Sequence, residues 1–445
     1  MKLDRLTYTA VILATMLLTN GCALFLPDRI HYTLQDQERL EQPLAAAQAV
    51  TPSASSADVI GVALSGGGSR ASVYGAAALE VLAEEGVLPR ATYLSSVSGG
   101  GFPAAYYALN KPAPCPATDN AGPCLSESFA AFKKTMRHNF LSDMTLRQLG
   151  KPGRISSSTR RLSSLQDALE RQITNGAVFG ELPPTPVLLI NGARYDDGRR
   201  FVFSNVAIPE ADSTVAQFTN KTLRTASFSL PGCTRPTPPD FSLALAVAIS
   251  AGFPPVLGPA SIEAPETCNG GGIQYWHLGD GGILDNTGVE TIEDFALRAE
   301  PDGPSTKRVI IFSVDAGRST PSQAMMQTRN LKLWTSDPGR VVEIVGMRAQ
   351  AYRQVALRQL RRDSDISVTT IKMRYTDAVI EEWPASCGDD QEAGAQAIST
   401  HLLTIPTSLK ISDCDADLME LAARDVVRRT LYENAAVLES LGLRP

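Results

Sequence analysis

The chain has 445 residues, 43% of them hydrophobic and 20% charged; these values are near the globular average and exclude wholesale disorder, a collagen-like repeat and a multi-span membrane protein. The net charge is -6, and no basic block is long enough to track a phosphate backbone, so nucleic acid is not expected as a partner. The densest basic stretch, Arg154, Arg160, Arg161 and Arg171, is interrupted by Ser and Leu in the pattern of a solvated helix face.

At the N-terminus Lys2 and Arg5 precede an apolar run from Ala10 to Leu18, and small residues lead into Gly21-Cys22. This is the basic, apolar, cleavable order of an export signal. The uncharged span from Leu6 to Pro27 is also just long enough to cross a bilayer as an uncleaved anchor. Cys22 decides between the two. A cysteine directly after Gly at the end of such a run resembles the lipobox of bacterial lipoproteins, in which the thiol is acylated and becomes the first residue. Leu18 lies one place upstream of the usual leucine, with Thr19 and Asn20 between.

The expectation is therefore a signal peptide over 1–21, lipidation at Cys22 and an Ala/Gln/Ser-rich tether over 22–57. Such a protein is exported and lipid-anchored in a bacterial envelope. Ala23 is not the acidic residue that retains many lipoproteins at the inner membrane, so the resemblance points to the outer membrane, facing the periplasm.

The remaining six cysteines form an even set, as an oxidising compartment favours. Cys115 and Cys124, separated by a short Pro/Gly-containing stretch, suggest a stapled loop; nearest neighbours would pair Cys233 with Cys268 and Cys387 with Cys414. No CxxC or His/Cys cluster has metal spacing, so neither zinc nor any other cofactor is expected.

The body, 58–445, opens with two strand, glycine-turn, helix units. Val59 to Leu64 is a short apolar strand, followed by three glycines and an Ala-rich helix from Arg70 to Glu85 that Gly86 stops. Tyr93 to Val97 is a second strand, followed by glycines after Ser98 and a helix opening at Pro103. Tandem units of this kind predict a parallel sheet with covering helices. A helical insertion spans about 125–180. Val187 to Ala193 and Arg200 to Ser204 flank Asp196-Asp197-Gly198 as a hairpin.

Asp240 is placed to cap a helix running to about Ala251. Val309 to Asp315 is a buried-type strand. Two long amphipathic patterns, Val341 to Arg362 and Asp415 to Leu441, flank a strand from Ile366 to Met373. One α/β domain with a helical C-terminal part accounts for all of this.

The chemistry gathers at the glycine turns. Gly66, Gly67 and Gly68, between a strand and a helix, leave backbone N–H groups uncovered beside the positive end of the helix, where an anion is held. The P-loop Lys-Ser/Thr and a spaced Gly-x-Gly-x-x-Gly are both lacking, so a nucleotide phosphate is a poor candidate. The other candidate is the oxyanion of acyl transfer. In the second turn, Ser96-Val97-Ser98-Gly99-Gly100, Ser98 has small residues two before and two after it, as a sharp nucleophile elbow requires.

A serine needs a base. Of His31, His138, His277 and His401, only His277 lies in a suggestive stretch, Tyr275 to Gly282. In an extended strand residues three apart face opposite sides, so His277 and Asp280 cannot both point at Ser98. Asp280, at the strand end before two glycines, is the better placed. Asp315 is a rival carboxylate at another strand end, expected to be structural.

In this order, Gly66-Gly67-Gly68-Ser69-Arg70, the Ser98 elbow, Ala248 to Val256 with its Ser-Ala-x-x-Pro pattern, and Asp280 to Asn286 resemble the patatin-like phospholipase family over about Val59 to Asp315. The resemblance implies a three-layer α/β/α fold with a mostly parallel central sheet. It implies a Ser98–Asp280 dyad without histidine, and an oxyanion hole from the amides of Gly66, Gly67 and Gly68 with Arg70 shaping the loop.

It further implies hydrolysis of phospholipid or lysophospholipid esters through an acyl-enzyme. Ser96 for Gly, Ala71 after the Arg and Gly99 within the elbow depart from the pattern, each small for small. Two alternatives are a non-catalytic lipid- or protein-binding lipoprotein on the same scaffold and an esterase of small esters.

Overall fold

The computed structural model describes residues 58–115, 126–150, 158–208, 230, 232–254, 256–268, 274–297, 308–317, 340–363, 365–388 and 394–443. The expected signal peptide, Cys22 and the tether lie outside them. In chain order the elements begin with β1 (Asp58–Leu64), α1 (Ser69–Glu84), β2 (Tyr93–Val97) and α2 (Gly101–Asn110). Within the expected insertion follow α3 (Glu127–Met136), α4 (Phe140–Gly150) and α5 (Ser158–Leu169).

Next come β3 (Val187–Arg194), β4 (Arg199–Ser204), α6 (Leu243–Ser250), β5 (Ala260–Glu263), β6 (Tyr275–Asp280) and α7 (Val289–Ala296). The chain continues through β7 (Arg308–Asp315), α8 (Arg340–Asp363), β8 (Ser367–Arg374), α9 (Ala395–Leu402), α10 (Asp413–Glu433) and α11 (Ala435–Ser440).

The strands form one sheet in the order β5-β6-β3-β2-β1-β7-β8, with β4 also paired to β3. β3, β2, β1, β7 and β8 run parallel; β4, β5 and β6 are antiparallel to their neighbours. The period of two divides the central strands between two cores. Ile60, Val62, Leu64, Ile310, Phe312 and Val314 face the larger one, with Tyr74 and Leu79 of α1, Phe102 of α2, Leu245 and Val247 of α6 and Met419 and Val426 of α10. Val59, Ala63, Val309 and Ile311 face the other, under Ile292 and Phe295 of α7 and Leu357 and Leu360 of α8. Helices on both faces of a mostly parallel sheet make three α/β/α layers.

Two local expectations are corrected. Helix α6 is capped by Ser242, whose Oγ accepts the Leu245 N–H at 3.2 Å. Asp240 lies two residues too early, in the turn before the helix. The C-terminal pattern also breaks at Asn434, which separates α10 from α11 and whose side chain donates to the carbonyl of Thr430 at 2.8 Å. Disulfides join Cys233 to Cys268 and Cys387 to Cys414. Cys115 is also disulfide-bonded; Cys124, its expected partner, lies outside the described residues.

Candidate active site

Strand register explains why residues far apart in the chain meet. On one edge of β3, β2 runs parallel and ends with Val97 opposite Asn191. On the same edge, β6 runs the other way and ends with Asp280 opposite Gly192, the next residue along. The two strands thus finish head to head against β3. The residue after one, Ser98, meets the last residue of the other, which puts the Ser98 side chain close enough to the Asp280 carboxylate to favour its ionised form.

Ser98 leaves the strand in the left-handed region, at φ 51, a backbone strained for a residue with a Cβ. A short 3-10 turn (Ser98–Gly100) then leads into α2. The elbow is packed onto the first glycine turn: a Cβ on Gly99 would lie 2.2 Å from the carbonyl oxygen of Gly68, and one on Gly100 would lie 2.6 Å from that of Ser65. Gly99 is therefore what lets the Ser98 turn and the first glycine turn touch. Ser96 is fully buried, and its Oγ makes no hydrogen bond among the described residues.

The first turn reaches α1 through Gly68 at φ 62. Its three amides are not equivalent. Gly66 N–H donates to the carbonyl of Asn286 at 2.9 Å, so it is committed to holding the loop and is not a third oxyanion donor as the sequence suggests. The amides of Gly67 and Gly68 have no acceptor among the described residues, and they precede the N-terminus of α1. Arg70 is 1% exposed; Nε donates to Ala316 O at 3.0 Å, Nη1 to Ile405 O at 2.6 Å and Nη2 to Thr407 Oγ1 at 3.2 Å. Its guanidinium does not line the hole. It ties the glycine turn to the end of β7 and to the segment between α9 and α10.

Asp280 is 3% exposed. Burial pushes its carboxyl up to about 7, and the hydrogen bonds from the Gly282 amide and the Ser98 hydroxyl act against that rise. His277 projects from the opposite, exposed side of β6, where Nδ1 lies 2.6 Å from Asp196 Oδ1, as the alternation of the strand requires. Asp315 accepts the Gly317 amide at 2.8 Å, and burial raises its pKa. It closes the turn after β7 rather than reaching Ser98.

A model of the patatin-like phospholipase family matches residues 62–292, a little over half of the sequence and the stretch that carries both glycine turns, Ser98 and Asp280. The chain belongs to the patatin-like phospholipase family. Among solved structures it is similar to human GIVD cytosolic phospholipase A2, at 12% identity and a TM-score of 0.47 over 91% of this chain and 64% of that one. The same enzyme in complex with methyl gamma-linolenyl fluorophosphonate matches at 14% identity and a TM-score of 0.45, over 86% of this chain and 58% of that one. VipD from Legionella pneumophila matches at 11% identity and a TM-score of 0.33, over 84% of this chain and 67% of that one. This chain thus spans less than two thirds of the first two. No curated protein matches it by sequence.

Three further residues that surround the Ser98 turn come to light only in the fold. Ser250, the last residue of α6, accepts the Ser98 N–H at 2.9 Å and donates to the carbonyl of Asn191 at 2.6 Å. Asn191, fully buried on β3, donates through Nδ2 to Ser95 Oγ and to Ser96 O, both at 2.9 Å. Asn286, in the turn after β6, holds Gly66. The Ser-Ala-x-x-Pro pattern and the Asp-Gly-Gly…Asn stretch contain two of the three, but no local signal gives them roles.

Among the described residues, His401, Cys414 and Asp415 bring possible metal-ligand atoms within 4.8 Å of one another. Cys414 is tied up in its disulfide and His401 Nε2 is paired with Asp415 at 2.7 Å, so the trio lacks the free thiolate and the third and fourth ligands of a zinc site.

Proposed function

We propose that the protein is a serine lipid acyl hydrolase that cleaves carboxylic esters of membrane phospholipids or lysophospholipids. The observation that carries this reading is the placement of strained Ser98 against the buried Asp280 carboxylate, where β2 and β6 end against β3, beside two unspent backbone amides. A carboxylate raised to about 7 by burial is a far stronger base than an ordinary aspartate.

In the proposed cycle the Ser98 proton passes to Asp280 as Oγ attacks the ester carbonyl. The negative charge that develops on the carbonyl oxygen is met by the amides of Gly67 and Gly68, and losing one such donor typically costs about a hundredfold or more in rate. Asp280 then gives the proton to the departing alcohol, leaving an acyl group on Ser98. Water, giving a proton to Asp280, attacks that acyl group; the bond to Ser98 Oγ breaks, Asp280 returns the proton to that oxygen, and a fatty acid is released. Asn191 and Ser250 hold the elbow in place; Arg70 and Asn286 hold the glycine turn.

Export and lipid anchorage through Cys22, which rest on the N-terminal pattern alone, would hold the enzyme beside its substrate; acyl chains contribute about 0.8 kcal/mol per buried methylene. The test is fatty-acid release from defined phospholipid vesicles by the wild type, Ser98→Ala and Asp280→Asn, together with fluorophosphonate labelling of Ser98. Both substitutions should abolish release. Equal release by all three proteins would reject the dyad. Labelling with hydrolysis of p-nitrophenyl butyrate but not of vesicles would leave an esterase of small esters.

A further inference from the structure

Asn286 stands where three glycine turns converge. A Cβ on Gly66 would lie 2.2 Å from Asn286 Oδ1 and 3.2 Å from Ser98 Cβ. A Cβ on Gly282 would lie 2.7 Å from the same Oδ1 and 3.0 Å from Asp280 Oδ1, and one on Gly317 would lie 2.9 Å from Asn286 Nδ2. The side-chain amide thus lies in the space between the nucleophile, the base and the first glycine turn, and that space exists because three separate turns carry no side chain there. The backbone of Asn286 is fixed by the Gly66 amide at 2.9 Å.

The side-chain amide itself makes no hydrogen bond to the protein among the described residues. A half-buried amide offers two donors and an acceptor, and neither of its polar atoms is among the fully buried ones without a partner, so both are open to a ligand. With no protein partner to fix its orientation, the amide can turn its N–H groups toward whatever binds.

Building on the proposed acyl hydrolysis, we propose that Asn286 is a substrate-contacting residue whose side-chain amide donates a hydrogen bond to an oxygen of the scissile ester. An ester group presents only acceptors, so the amide nitrogen is the end that it selects. The bond places the carbonyl between Ser98 and the amides of Gly67 and Gly68, and its loss should be felt in kcat/KM.

The experiment compares the full chain with Asn286→Ala and Asn286→Asp, the second nearly isosteric but lacking the donors. The readouts are p-nitrophenyl butyrate kinetics across pH, active-site titration with an alkyl fluorophosphonate, and thermal unfolding. The expected result is a loss of tenfold or more in kcat/KM per titrated site in both variants. Asn286→Asp should in addition move the ascending limb of the pH profile to higher pH, since a second carboxylate beside Asp280 raises its pKa. Wild-type kcat/KM per titrated site in either folded variant would overturn the assignment, and if Asn286→Ala does not fold, Asn286→Asp decides alone. Failure of the dyad itself is told apart by the wild type, which would then neither label nor lose activity on Ser98→Ala.

Discussion

The backbone amide of Ser98 donates to the hydroxyl of Ser250, 152 residues further along the chain, at 2.9 Å. Because Ser250 in turn donates to Asn191 O, Ser98 is held to the strand that also receives Asp280. Ser250→Ala would leave a buried N–H and a buried carbonyl without partners, at about 1–3 kcal/mol. The expected outcome is a tenfold or greater fall in kcat on p-nitrophenyl butyrate with KM little changed, and a lower melting temperature. Unchanged kcat would remove Ser250 from the elbow's support.

Asp280 ties activity and stability to pH in opposite senses. The base is needed ionised, so kcat/KM should rise as pH passes through about 7 and level off above it. In the unfolded chain the same group titrates near its usual value, so between about pH 4 and 7 the folded protein holds a proton that the unfolded chain has released. The favourable contribution is complete below pH 4 and is lost as pH rises to 7, by about 4 kcal/mol at most. Asp280→Asn should therefore be inactive yet more stable than the wild type above neutrality. Melting temperatures at pH 4, 6 and 8 check this: the gap should widen with pH, and a constant gap would refute the linkage.

Gly99→Ala forces a Cβ against the carbonyl of Gly68, where only backbone can give way. Fluorophosphonate labelling of Ser98 should slow by about two orders of magnitude, as expected when nucleophile and oxyanion donors lose their mutual geometry. Gly346→Ala is the control, since nothing lies within 4 Å of its added Cβ. It lies inside α8 and should stabilise the protein by up to about 1 kcal/mol without changing the labelling rate.

The Cys387–Cys414 disulfide closes a loop with a sequence separation of 27 that includes the carbonyl of Ile405 and the hydroxyl of Thr407, both bound by Arg70. Replacing both cysteines with serine should cost about 3 kcal/mol by loop-closure arguments. Denaturant titration of the oxidised protein, with and without reductant, measures it. The oxidised wild type should be the more stable, and reduction should have no effect on this bond's contribution in the double variant.

The order of elements is legible because each unit announces itself locally: an alternating or wholly apolar strand, a glycine turn, an Ala-rich helix. Strand alternation says that His277 and Asp280 cannot both face Ser98, and the two glycines after Asp280 favour it; the fold leaves His277 on the exposed side with Asp196. What is not legible depends on contacts across the sheet. The meeting of β2 and β6 on one edge of β3, which gives Ser250, Asn191 and Asn286 their partners, follows from an antiparallel strand in an otherwise parallel set. The same holds for the glycine amides: three look alike in sequence, and only the Asn286 carbonyl tells Gly66 from the other two. At Asp240 and Ser242, both good caps, the difference was the turn at Pro239-Asp240, a two-residue shift that composition does not resolve.

The glycine turn is completed from the far end of the polypeptide. Gly68 is bridged to Ser408, the Ser69 amide donates to Ser408 O at 2.7 Å, and Arg70 grips Ile405 and Thr407. All three positions lie more than a hundred residues past the end of the stretch that carries the family signature. A fragment cut at residue 300 would keep every signature residue and yet leave the anion-binding turn unbraced. The proposed hydrolysis therefore depends on a segment that the family signature does not contain, and a chain cut at residue 300 should bind an alkyl fluorophosphonate more slowly than the full chain.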